Sequence, residues 1–181
     1  MDSDVELIGG PEQRMIELVA HQPSWKQAFE EHRRRIERSL GGTARRVEHI
    51  GSTAVPGLPA KPIVDIQVSV IDVENETQYM APMTDAGYKL RVREPAHRMF
   101  RTPELDAHVH LCSASSVWER RHLLFRDWLR HSAADRALYA ETKRDLATRS
   151  WPTMTHYADA KTDVIEVIMA RAEAWARSTV R

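Results

Sequence analysis

His49-Ile50-Gly51-Ser52-Thr53-Ala54-Val55-Pro56-Gly57-Leu58-Pro59-Ala60-Lys61-Pro62-Ile63-Val64-Asp65-Ile66-Gln67 is the stretch on which the reading of the fold turns. Val47 to Ile50 reads as a short strand, and Ile63 to Val70 as a second one rich in β-branched residues, with the Pro- and Gly-studded loop Gly51 to Pro62 between them. A glycine at the end of the first strand lets backbone approach a ligand closely. The serine after it offers a hydroxyl and an amide to phosphate oxygens. Side chains alternate along a strand, so Asp65 and Gln67 face one way and Ile66 the other, and two potential ligands can share one cation.

Upstream, residues 1–22 read as a polar lead-in and residues 23–181 as a single domain. Ser24 followed by Gln27 has the capping-box pattern and opens a helix with Trp25, Phe29, Ile36 and Leu40 on one stripe, stopped by Gly41-Gly42. Downstream, the pattern predicts a helix over Val73 to Ala86 closed by Gly87, then short strands at Tyr88 to Val92, Arg98 to Thr102 and Ala107 to Cys112. From Ser116 onward the periodicity is helical: Ser116 and Ser132 each open a helix, and a last one runs from about Thr155 to Ala176. Strands gathered early and helices late imply an α/β or α+β fold, a small mixed sheet flanked by helices with a C-terminal helical segment.

At 181 residues, 42% hydrophobic and 29% charged, the chain is long enough for one domain with a real core. Its 26 basic and 26 acidic side chains balance, which argues against an electropositive nucleic-acid binder. The Arg33-Arg34-Arg35 run, flanked by glutamates, reads as a solvated helix face. A single cysteine, Cys112, offers no disulfide and no thiolate pair for zinc. No run of apolar residues reaches membrane-spanning length, and the expected location is cytoplasmic. Oligomeric state is not legible.

A Gly-Ser turn followed some dozen residues later by an acid on a buried strand resembles the nucleotidyltransferase superfamily, and the whole run His49 to Ile66 resembles the hallmark of the GrpB family. The likeness continues through His108-Val109-His110, Phe125 to Arg130 and Tyr157 to Lys161, and covers roughly Trp25 to Arg171. The resemblance implies a nucleotidyltransferase-like core in which Ser52, with Gly51, holds a triphosphate and Asp65 binds a divalent metal, Mg²⁺ or Mn²⁺. Gln67 departs from that pattern, since it stands where the superfamily has a second carboxylate, and an amide oxygen is a weaker Mg²⁺ ligand.

The third superfamily acid comes from a later strand, and the positional candidate here is the strand carrying His108 and His110, which share a face. If that face meets Asp65, the three residues form a two-histidine, one-carboxylate set suited to Zn²⁺, Mn²⁺ or Fe²⁺, with Asp65, His110 and Ser52 as the catalytic candidates. The plainer alternative is that the histidines hydrogen-bond neighbouring groups and that Asp65 is a buried acid paired with an arginine or loop amides. Lys61, Arg126 and Lys161 are candidates to contact the phosphates, with Arg130 and Lys143 able to converge on the same sheet edge, against the ordinary reading of each as a solvated surface cation. His49, beside the site, reads first as a support for the loop.

Three functions therefore stand open. One is an enzyme transferring a nucleotidyl group or otherwise binding a nucleoside triphosphate or other phosphorylated ligand with a metal. Another is a small-molecule enzyme that reuses the scaffold with a His/Asp pocket. The third is a non-catalytic accessory module, to which the occurrence of GrpB-like segments attached to dephospho-coenzyme A kinases points.

Overall fold

Helix α1 (Ser24–Leu40) buries Trp25, Phe29, His32, Ile36 and Leu40 along one stripe and ends at Gly41, whose φ of 50° closes the last turn. The capping box expected at Ser24 does not form. Pro23, already at helical φ −57°, takes the N-cap position and puts Ser24 inside the helix. A capping side chain needs an extended backbone, so the first turn relies on main-chain bonds from Trp25 and Lys26 while Gln27 bonds Glu31 at 3.1 Å. The computed structural model describes residues 5–179.

Six strands form one mixed sheet: β1 (Glu6–Leu7), β2 (Arg46–Ile50), β3 (Val64–Val70), β4 (Lys89–Glu94), β5 (His97–Arg101) and β6 (Ala107–Ser113). Their order is β1-β4-β5-β6-β3-β2. The central pair β3–β6 is parallel, and the remaining pairs are antiparallel. Ile66, Val68 and Val70 of β3, with Val109 and Leu111 of β6, turn to one side and form the main core with α1 and with Tyr79, Met83, Tyr88 and Phe100. Strand alternation sends Asp65, Gln67 and Ser69, and His108, His110 and Cys112, to the other side.

Helix α3 (Val117–His131) lies on that second side, where the Ser69 hydroxyl donates to Glu119 at 2.5 Å. Ser116 and Ser132 cap α3 and α4 (Ala133–Ala147) by accepting the amides of Glu119 and Asp135. With α6 (Thr162–Thr179) these helices build a second core of Leu129, Tyr139, Ala140 and Ile168, into which the β2–β3 loop inserts Val55 and Leu58. Burying those two side chains anchors the loop that carries Gly51 and Ser52.

Three segments differ from expectation. The helix read over Val73 to Ala86 is a 3₁₀ turn at Glu76–Gln78 followed by α2 (Met80–Asp85). Pro82 allows only this, because its ring would clash with the carbonyl of Gln78 if one helix ran through both. The last helix is broken: α5 (Met154–Asp159) ends in a tight turn, with the Lys161 amide donating to the Ala158 carbonyl, before α6 begins. The described part of the lead-in is also structured, since β1 pairs with β4 through Glu6↔Arg93 and Val19 bridges Ala60.

Candidate functional site

Gly51 has φ 69°, and a Cβ placed there would lie 2.5 Å from Oδ2 of Asp65. Both facts demand glycine, one from backbone strain and the other from the carboxylate pressed against its Cα. The register explains the contact, because Ile50 pairs with Asp65 across β2–β3. Beyond the glycine a 3₁₀ turn at Ser52–Ala54 presents Ser52 to a cleft of about 850 Å³.

The parallel pairing of β3 with β6 sets Asp65 opposite His108 and Gln67 opposite His110. Asp65 Oδ1 lies 3.4 Å from His108 Nδ1 and 3.4 Å from His110 Nε2, so the three side chains converge at the cleft wall. Burial works to raise the Asp65 pKa, but the two imidazoles outweigh it and hold the carboxyl far below the usual range. Its oxygens are therefore available as ligands at any ordinary pH.

Facing this triad are three lysines. Lys143 of α4, only 3% exposed, donates to the Ser52 hydroxyl at 2.8 Å and to the Pro59 carbonyl. Lys61 and Lys161 lie against the Tyr157 ring, with Nζ 5.5 and 4.5 Å from its centroid. Burial, and next the charge of Lys161, pushes the Lys143 pKa down to about 7. Burial followed by Lys61 brings Lys161 to about 8, and burial also lowers Lys61. Asp65 is the carboxylate whose charge acts on all three. The crowding of three lysines around Asp65, with Asp159 also acting on Lys161, leaves the cleft able to take further negative charge.

The structure thus brings Gly51, Ser52, Lys61, Asp65, His108, His110 and Lys161 to one cleft. It does not bring Arg126 there. That guanidinium donates to Glu48 at 2.7 Å, to Asp127 at 2.8 Å and to the His49 carbonyl at 3.0 Å, tying α3 to β2. Arg130 is likewise engaged with the Ala54 carbonyl. Gln67 shares the face of Asp65 but is fully buried, does not line the cleft, and neither of its amide atoms has a hydrogen-bond partner among the described residues. The converging ligand set is Asp65, His108 and His110 without it. His49 lies on the opposite face of the sheet, stacked on Phe29 at 4.8 Å and within 2.9 Å of the Thr53 hydroxyl, where it supports the loop.

Sequence reading passed over four groups around the triad: Glu94, His97, Trp118 and His122. Trp118 stacks on His97 at 4.6 Å and on His122 at 3.6 Å, walling one side of His110. Burial lowers the His122 pKa to about 4, so that ring is neutral. A histidine and a carboxylate closing a short hairpin were the available signal, but only the hairpin register aims them at β6.

A mixed sheet whose central strand carries the acid, entered from a Gly-Ser turn, has the nucleotidyltransferase-like fold. The chain resolved in the GLD-2/RNP-8 complex shares this fold at a TM-score of 0.50 and 14% identity, over 70% of this chain and 54% of its own. Within that class the family is specific: residues 15–171 match the family described as GrpB protein, and the chain belongs to it. A UPF0157 protein of Streptomyces coelicolor is 51% identical over 94% of this chain and 91% of its own length. The crystal structure of the conserved protein GrpB from Enterococcus faecalis matches at a TM-score of 0.77 and 30% identity, covering 88% of this chain and 99% of that one. A dephospho-CoA kinase of Mycobacterium leprae is 31% identical over 90% of this chain, which spans 47% of that protein.

Proposed function

We propose that this GrpB-family protein binds a phosphorylated ligand, a nucleoside triphosphate in the first instance, together with a divalent cation, and acts on it in the manner of a nucleotidyltransferase. The observation that carries the proposal is the adjacency of the Asp65/His108/His110 triad to Ser52, the buried Lys143 and the half-buried Lys61 and Lys161.

The triad fits a cation. Separations of 3.4 Å are long for hydrogen bonds, whose distances cluster at about 2.9 Å. They match the spacing of neighbouring ligands around a tetrahedral ion, about 3.3 Å for bonds of about 2.0 Å. Two imidazoles and one carboxylate suit Zn²⁺, Mn²⁺ or Fe²⁺ better than Mg²⁺, which prefers oxygen donors.

A bound cation would neutralise charge on a phosphoryl group and polarise its oxygens. The chain's own residues do the positioning. Ser52 and Gly51 offer a hydroxyl and close backbone to phosphate oxygens, and Lys61, Lys143 and Lys161 neutralise the remaining charge. Among the described residues no helix is long and apolar enough to cross a membrane. Cys112 is a buried free thiol, and we place the protein's work in the cytoplasm.

Titration calorimetry with a panel of nucleotides and inorganic triphosphate, with Mg²⁺, Mn²⁺ or Zn²⁺, tests the reading. Binding that needs both a metal and Asp65 is the expected result; no heat with any ligand and metal pairing defeats it. A second reading, an accessory module for coenzyme-related chemistry, has one observation in its favour, the match to part of a dephospho-CoA kinase. It predicts that an Asp65→Asn variant retains its cellular role.

A further inference from the structure

We propose that Glu94 and His97 are positioning residues that lock His110 in the tautomer with its proton on Nδ1, so that its Nε2 lone pair is presented to a metal ion beside Asp65. The proposal rests on the metal reading given above and adds two residues that lie outside the triad.

His97 Nδ1 lies 2.5 Å from Glu94 Oε1, and a carboxylate can only accept, so the His97 proton is on Nδ1. The other ring nitrogen, His97 Nε2, is then an acceptor. It lies 3.0 Å from His110 Nδ1, which must therefore donate. A neutral His110 with its proton on Nδ1 has its lone pair on Nε2, the atom that faces Asp65 Oδ1 at 3.4 Å. Reversing the His110 tautomer would leave His97 Nε2 and His110 Nδ1 as two acceptors facing each other at 3.0 Å.

The relay is held rigid from two directions. Glu94 and His97 are paired across the β4–β5 hairpin, so the carboxylate and the ring come from adjoining strand ends. Trp118 lies nearly parallel to His97, with centroids 4.6 Å apart and planes 13° apart, and His97 in turn stacks on His110 at 5.2 Å. A ring so clamped cannot swing to offer its other nitrogen. Metal-binding histidines commonly have the second ring nitrogen fixed by a carboxylate or carbonyl, and losing that partner costs about 10- to 100-fold in metal affinity. Here an imidazole stands between the ligand and the carboxylate.

Two measurements test the relay on the full chain. Long-range ¹H–¹⁵N spectra of metal-free protein report the tautomer of His110 directly, and the expected state is Nδ1–H. Zinc affinity, measured against a competing chelator, should fall about 10- to 100-fold in His97→Phe, which keeps the ring stacked on Trp118 but has no acceptor. His97→Gln, whose amide oxygen can accept in place of Nε2, should recover affinity to within a few fold of wild type. Glu94→Gln offers a donor as well as an acceptor and should populate both His110 tautomers. Circular dichroism confirms that each variant is folded.

Nε2–H at His110 in the wild type overturns the relay. So does a His97→Phe variant that binds zinc as tightly as wild type while Asp65→Asn abolishes binding. Wild-type protein that takes up no zinc yet shows Nδ1–H at His110 refutes the metal reading and leaves the relay supported, so the two failures are told apart.

Discussion

Replacing Lys143 with methionine makes the electrostatic cost of the cleft measurable. Lys143 is nearly inaccessible, and its pKa falls from 10.5 to about 7, chiefly through burial and secondarily through Lys161. Below pH 7 the folded chain carries this ammonium with its full penalty. Between pH 7 and 10.5 the native state sheds a proton that the unfolded chain keeps, so the contribution of this residue to stability rises with pH at about 1.4 kcal/mol per pH unit. From pH 6 to pH 9 that amounts to about 2–3 kcal/mol. Methionine keeps an unbranched stem in the same space but has no titration. It also gives up the bonds to Ser52 and the Pro59 carbonyl, a loss on the order of 1–3 kcal/mol that does not vary with pH. The informative quantity is therefore the change in the stability difference between the two proteins. Urea unfolding of wild type and Lys143→Met at pH 6 and pH 9 should show wild type gaining about 2–3 kcal/mol on the variant as pH rises. A difference that stays constant across that range would refute the claim that this ammonium is held against its desolvation.

The same lysines make ligand binding depend on pH in the opposite sense. With Lys143 near 7 and Lys161 near 8, a phosphate ligand must draw protons onto them, so affinity should fall at least about tenfold from pH 6 to pH 9, and calorimetric heats should vary with the buffer's ionisation enthalpy; buffer-independent heats would contradict it. Gly51→Ala puts a methyl against Asp65 at a positive φ and should destabilise the fold by about 1–3 kcal/mol while abolishing metal uptake, read by thermal unfolding and by plasma mass spectrometry. Leu58→Ala removes a fully buried side chain from the second core, and an expected loss of about 2–5 kcal/mol in chemical unfolding should come with weaker ligand binding, because the Ser52 loop loses its anchor. Asp65→Asn should stay folded but lose zinc, whereas an unchanged metal content would move the ion to other residues.

The local pattern determined a good deal. Alternation along β3 was enough to place Asp65 and Gln67 on one face, and alternation along β6 to place His108 and His110 on one face, because side-chain direction in a strand depends only on parity. The glycine and prolines of the β2–β3 loop marked the turn that carries Ser52, and the change from strand to helical periodicity after Ser116 marked the second layer. What parity cannot encode is which strand lies beside which, and in what register. The parallel pairing that sets Asp65 opposite His108 is decided by how Ile66, Val68, Val109 and Leu111 fill the core against α1, a non-local outcome. Tertiary packing likewise decided that Lys143 points at Ser52 while Arg126 turns to Glu48, that the break at Ala160-Lys161 joins Lys161 to Lys61, and that Glu94 and His97 stand behind His110. Each of those side chains has the same local sequence signal as an ordinary surface residue, and only the burial imposed by neighbouring elements distinguishes it.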